Sequence, residues 1–160
     1  FLIGKALKIL ADKACIYGMV GGQVVDVESC GVGLDEGMLN FIYELKTGAL
    51  IESSMMIGAL LAGADTAELE KVQKIASDVG IAFQIQDDIL DVTSTTEELG
   101  KPVHSDEKNE KTTYVTLKGL EKATADVEAI SQEALELLAG LDRENPYLTQ
   151  LIQELIHRKK

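Results

Sequence analysis

Between Val79 and Val92 the chain presents apolar residues on nearly every face of a helix, yet the same stretch carries Asp87, Asp88 and Asp91. A helix that is apolar all round belongs at the centre of a bundle. Its three carboxylates therefore sit where a charge is costly without a compensating partner. The surroundings of this segment are helical too. Pro102 and Pro146 are the only prolines among 160 residues, and Ala, Leu, Glu and Lys are abundant. Good helix formers with few breakers favour helix throughout. The β-branched residues do not alternate with polar ones as half-buried strands require. An all-α chain, one helical domain over residues 1–160, is the expectation.

The periodicity divides the chain into segments. Ile3, Ala6, Leu7, Leu10, Ala14, Tyr17 and Val20 follow a helical period, predicting a helix from Leu2 to Val27. Gly18, Gly21 and Gly22 lie inside it, which points to close approach by another helix or a ligand. Asp35 is placed to cap a second helix from Glu36 to about Leu61, with a kink at Gly48 and a C-cap at Gly63. Thr66 opens a third helix that runs to about Thr93. A polar loop over 94–111 follows, long enough to suggest function or disorder. Further helices are expected at Thr112–Leu120, Glu121–Ala139 and Pro146–Ile156, the last ending in Arg158, Lys159 and Lys160.

The chemistry is concentrated in Phe83-Gln84-Ile85-Gln86-Asp87-Asp88-Ile89-Leu90-Asp91. Asp87 and Asp91 are one turn apart on one face, and Asp88 lies about 100° round from Asp87. Like charges at that spacing oppose each other, so something positive should compensate them. Carboxylate oxygens select hard cations, and Mg²⁺ takes one or two carboxylates together with water and phosphate oxygens. The cluster is a candidate magnesium–diphosphate site; the competing reading is a solvated acidic helix end. Lys46-Thr47-Gly48 could offer an ammonium and a hydroxyl to a phosphate. Lys101, in Gly100-Lys101-Pro102, and Lys111, in Lys111-Thr112-Thr113-Tyr114, flank the polar loop. Gln23 and Asp26 place an amide and a carboxylate one turn apart.

A net charge of −12 argues against nucleic acid as a partner. It does not argue against a phosphorylated substrate when metal ions separate the anions. The longest apolar run, Met55 to Ala64, is too short to span a bilayer. Cys15 and Cys30 lack metal-ligand spacing, and a reduced, cytoplasmic setting is the expectation. The chain begins at Phe1, so a piece of a longer protein is expected.

Read in order, Gly21 to Asp26, Lys46 to Gly48, Phe83 to Asp91, Gly100-Lys101, and Ser105-Asp106 with Lys111 to Tyr114 resemble the C-terminal half of the trans-isoprenyl diphosphate synthases, the farnesyl and geranylgeranyl diphosphate synthase family. That resemblance implies the isoprenoid synthase helical bundle and a magnesium-dependent prenyltransferase. It would join an allylic diphosphate to isopentenyl diphosphate, with about three Mg²⁺ held between two aspartate-rich motifs. A farnesyl-type product and a homodimer are further expectations. By matching position, the metal residues are Asp87, Asp88 and Asp91: Asp87 and Asp91 would stand in or near the metal shell, Asp87 foremost as a direct ligand, with Asp88 supporting it directly or through water. Lys46 and Lys101 would bind diphosphate, and Thr47 and Gln84 would set oxygen dipoles beside the allylic cation. Phe83 would border the homoallylic site, Gln23 and Asp26 would support it, and Arg158, Lys159 and Lys160 resemble the family's basic tail. The departure is the first aspartate-rich motif: no second DDxxD occurs in these 160 residues. A chain inactive by itself, with exposed apolar helix faces and a tendency to associate, is the expectation. Competing readings are a non-catalytic partner subunit of a prenyl synthase and an acidic helical scaffold that binds divalent ions.

Overall fold

The computed structural model describes residues 1–95, 111–156 and 158. All regular elements among them are helical: α1 (Leu2–Ala14), α2 (Met19–Glu28), α3 (Glu36–Ile42), a π-helical turn (Tyr43–Gly48), α4 (Ala49–Leu61), α5 (Thr66–Thr93), α6 (Tyr114–Lys118), α7 (Leu120–Ala139) and α8 (Pro146–Ile156).

α5 is the axis of the bundle. Its start is fixed by a capping box, in which Asp65 Oδ1 accepts from Glu68 N at 2.9 Å and Glu68 Oε2 accepts from Asp65 N at 3.0 Å. The 28 residues that follow reach about 42 Å. Ile75, Ala76, Val79, Ala82, Ile85, Ile89 and Leu90 are all buried, so the helix is covered on most sides, as its all-round apolar pattern requires. α4 and α7 pack along it, and the π turn, α6 and α8 also touch it. The apolar core runs from Leu39, Ile42 and Tyr43 through α5 to Val127, Ala134 and Leu138 of α7 and Ile152 and Ile156 of α8.

Two expected helices are divided. The predicted Leu2–Val27 helix breaks between α1 and α2, over residues 15–18, although the apolar period continues across the break. Gly18 has φ −131° and ψ −130°, and a Cβ there would meet the Lys13 carbonyl oxygen at 2.1 Å. The turn thus requires glycine, and the chain redirects so that α1 lies on α4 and α2 on the π turn. In the predicted Glu36–Leu61 helix, Asp35 caps α3 as expected, accepting from Met38 N at 2.8 Å. The irregularity is not a kink at Gly48 but a widened turn over Tyr43–Gly48. Such turns rotate less per residue than an α-helix and recur at functional sites. Lys46 thereby faces α2, while Tyr43 and Thr47 face α5. The polar loop over 94–111 lies largely outside the described residues, and Gly100, Lys101, Ser105 and Asp106 lie wholly outside them. α8 has the predicted bounds, and α6 and α7 are close to theirs.

Two backbone approaches hold the turn in place. A Cβ on Gly22 would meet Lys46 N at 2.4 Å, and one on Gly80 would meet Gly48 Cα at 2.8 Å. In both cases the obstacle is backbone, which cannot swing aside as a side chain can. Gly80→Ala should therefore force α5 and the π turn apart, at a cost of roughly 1–3 kcal/mol. Urea denaturation measures this, and a variant as stable as the parent would show that the contact yields freely.

Candidate functional site

α2, the π turn, α5 and the segment around Lys111–Thr113 enclose a cleft of about 100 Å³ whose walls include Asp26, Tyr43, Lys46, Gln84, Asp87, Asp88 and Lys111. Three features organise it.

The first is a carboxylate shared by two lysines. Lys46 Nζ donates to Asp26 Oδ2 at 2.7 Å, and Lys111 Nζ lies 3.1 and 3.0 Å from Asp26 Oδ1 and Oδ2. Burial pushes the Asp26 carboxyl up. The hydrogen bonds and charges of Lys46 and Lys111 together outweigh that, so it ends below its ordinary value. Two ammonium groups are thus held side by side at the cleft wall, an arrangement suited to phosphate oxygens.

The second is a clamp on Asp88, which is 9% exposed. One of its oxygens, Oδ2, accepts from the Tyr43 hydroxyl and from the Tyr114 backbone N–H, the latter at 2.7 Å. Tyr114 N also reaches the Tyr43 hydroxyl oxygen at 3.2 Å. α5, the π turn and the start of α6 meet on this one carboxylate. The Tyr114 hydroxyl points the other way and donates to Asp126 Oδ2 at 2.8 Å. Burial, and then the Asp126 carboxylate, push that phenol up to about 12.

The third is Asp87. Its side chain remains 35% exposed, and Oδ1 accepts from Arg158 Nη2 at 3.0 Å. The same guanidinium stacks over the Phe83 ring, 3.9 Å from its centroid. Beside it the Thr47 hydroxyl donates to Gln84 Oε1 at 3.1 Å.

The fold thus brings Asp26, Lys46, Gln84, Asp87 and Asp88 to one cleft, with Thr47 joined to it through Gln84. Phe83 sits beneath Arg158 rather than on the cleft wall. Gln23 is exposed and lies off the lining. α2 turns Gly22 and Asp26, one turn apart, toward the π turn, and Gln23 is about 100° round from Gly22. Asp91 is 3% exposed and is not part of the lining either. Among the described residues no three His, Cys, Asp or Glu side chains converge as an ion-holding group. Asp87, alone of the three, combines exposure with a place on the wall. That fits a magnesium–diphosphate centre, where one or two protein carboxylates suffice and phosphate and water supply the remaining oxygens.

Tyr43, Lys111 and Tyr114 act here although sequence reasoning gave them no individual role. Lys111 and Tyr114 stood in a recognised block, but Lys111 is 85 positions from Asp26, and no spacing rule joins them.

A polyprenyl synthetase family model matches residues 4–153, and the chain belongs to that family. It is 38% identical over 159 residues to the geranylgeranyl diphosphate synthase of Cyanophora paradoxa, covering 98% of this chain and 53% of that protein. It is 42% identical over 147 residues to a chloroplastic geranylfarnesyl diphosphate synthase of Leucosceptrum canum, covering 87% of this chain and 40% of that protein. The geranyltransferase of Helicobacter pylori, solved with magnesium and isoprenyl diphosphate, superposes with a TM-score of 0.81 at 33% identity over 97% of this chain and 51% of that one. The chain therefore spans about half the length of these relatives.

Asp26 offers a test of the electrostatics. Its folded pKa lies below its unfolded one, so its contribution is present at neutral pH and is lost as pH falls through the folded value. Asp26→Asn should lower unfolding free energy at pH 7 by roughly 1–3 kcal/mol. The gap from the parent should shrink below about pH 4. Denaturation at the two pH values measures it, and a gap that does not change with pH contradicts the pairing.

Proposed function

We propose that this chain carries the diphosphate-holding half of a trans-isoprenyl diphosphate synthase site. The supporting observation is that Lys46, Lys111 and Asp87 face a common cleft across Gln84. In the proposed reaction the allylic C–O bond breaks and its electron pair leaves with pyrophosphate. The double bond of isopentenyl diphosphate then attacks the allylic carbon, and the new cation loses a proton to the released pyrophosphate. Bound Mg²⁺ would neutralise charge developing on the leaving group.

The chain's own residues prepare that step. Asp87 is the carboxylate that would hold the metal. Lys46 and Lys111, set in place by Asp26, would donate to phosphate oxygens, as would Lys101, which lies outside the described residues. Asp88 is a positioning residue, tied by Tyr43 and Tyr114. Asp91, buried one turn beyond Asp87, would act in support. The Thr47 hydroxyl and Gln84 carbonyl would turn their dipoles to the allylic cation, and Phe83 would border the homoallylic site. Gln23, exposed on α2 and off the cleft lining, would support the site only at a distance.

An acidic scaffold has no use for two lysines paired inside the cleft, so the prenyltransferase reading is preferred. The relatives are named for geranylgeranyl and geranylfarnesyl products, so a farnesyl-type product rests on the motif resemblance alone. Several relatives are named chloroplastic, and a cytoplasmic setting likewise rests on cysteine usage. No described helix is long and apolar enough to cross a membrane.

Three Mg²⁺ require a second aspartate-rich motif, and these 160 residues contain one DDxxD. The chain alone should give no product from an allylic diphosphate, isopentenyl diphosphate and Mg²⁺, whereas it should bind Mg²⁺ and pyrophosphate cooperatively in calorimetry. Lys46→Ala should weaken pyrophosphate binding by about tenfold, the worth of one charge-assisted hydrogen bond. Turnover by the chain alone would refute the missing-motif argument, and Mg²⁺ binding indifferent to pyrophosphate would favour the scaffold.

We also propose self-association. α1 has no buried residue, and Ile3, Leu7, Val24 and Val27 are 73%, 60%, 48% and 59% exposed. Apolar faces of that kind mark interaction surfaces. Light scattering should give a mass above that of one chain; a clean monomer contradicts it.

A further inference from the structure

Arg158 is held by three contacts, all on one turn of α5. Its Nη2 donates to Asp87 Oδ1 at 3.0 Å and to the Phe83 carbonyl at 3.4 Å, and its guanidinium lies 3.9 Å from the Phe83 ring centroid. The side chain is 19% exposed, so the cation has given up most of its water. Its Nε is buried and has no hydrogen-bond partner among the described residues.

These facts pull in opposite directions. A half-covered carboxylate beside an aromatic ring requires a positive charge, and arginine suits both partners, since its planar fork pairs with the carboxylate while its face stacks on the ring. A buried N–H with no acceptor is nevertheless a standing cost. The seat therefore holds a cation firmly enough to neutralise Asp87 but does not satisfy this one completely.

We propose that Arg158 is a built-in counter-ion of Asp87, occupying the position a divalent cation takes and released when that cation arrives. This rests on the reading of Asp87 as the metal-holding carboxylate. Because the carboxylate cannot serve both cations at the same oxygen, magnesium binds only the fraction of molecules in which Arg158 has left, and its apparent affinity is reduced by that fraction. The exchange also frees a guanidinium beside the cleft where diphosphate would sit. Phe83 is then a platform for the resting cation, which explains a partly exposed aromatic ring one turn before Asp87.

The test is calorimetric titration of the purified chain with MgCl₂, first alone and then with pyrophosphate present. Arg158→Gln should bind Mg²⁺ roughly three- to tenfold more tightly than the parent, the range expected when a competing partly buried ion pair and its ring contact are removed. Arg158→Lys should fall between the two, since an ammonium keeps the charge but loses the fork and the stacking. Phe83→Leu should also tighten binding by removing the platform while leaving every charge in place. It carries the test if circular dichroism finds Arg158→Gln unfolded. Magnesium binding by the parent with equal or weaker binding by Arg158→Gln and Phe83→Leu overturns the counter-ion role alone. Absence of magnesium binding by parent and variants alike, both alone and with pyrophosphate present, overturns the metal reading of Asp87 and the inference with it.

Discussion

A carboxylate cannot be buried on a central helix unless donors meet it there, and Asp88 makes that demand on the whole molecule. An unpaired buried charge costs several kcal/mol, comparable to a sizeable part of the stability of a domain this size. Tyr43 and the Tyr114 backbone answer it from two directions. One sits on the widened turn and the other opens α6, so satisfying a single oxygen fixes both segments against α5. Lys46 and Thr47 follow because they share the turn with Tyr43. Lys111 follows because it lies three residues before Tyr114. The cleft is thus a consequence of how the bundle resolves one buried charge.

The close backbone approaches make that solution geometrically possible. With side chains at positions 22 and 80, the π turn could not lie against both α2 and α5. Asp26 would then stand too far from Lys46, and Thr47 from Gln84. The glycines add little energy of their own. They set the distance over which hydrogen bonds of 2.7 to 3.1 Å can form, and such bonds weaken steeply when stretched.

How far the sequence disclosed this depended on whether a feature is local. α5 was legible because an apolar run and a polar end lie within the one segment that Thr66 opens. The Asp35 cap and the bounds of α8 were legible for the same reason. The division of α1 from α2 was not, because Tyr17 and Val20 continue the apolar period of the first helix while the break depends on the backbone of Gly18. The widened turn has no composition of its own, so Gly48 drew attention to the wrong end of it. Within the candidate site, residue identities at Asp26, Lys46, Gln84 and Asp87 were readable from motifs. The partners were not: Asp26 with Lys111, Asp88 with Tyr43, and Asp87 with Arg158 are joined only by the tertiary fold. The motif singled out Asp87 but did not disclose that burial separates it from Asp91, which is enclosed while Asp87 stands on the wall.

Charge balance in the cleft bears on what it can bind. Among the described residues, Lys46 and Lys111 stand against Asp26, Asp87 and Asp88 on the cleft wall, and Arg158 pairs with Asp87 from beside it, so the local charges nearly cancel within a chain of net charge −12. A free diphosphate would bring several negative charges into a neutral cleft on an acidic surface, with little field to draw it in. A divalent cation alone would have to displace a guanidinium already seated on Asp87. Entering together, the two would cancel most of each other's charge, with the lysines turned to the phosphate oxygens and Asp87 to the metal. Under the proposed function, cooperative binding of metal and diphosphate would then follow from the electrostatics of these few residues, whichever allylic tail the diphosphate carried.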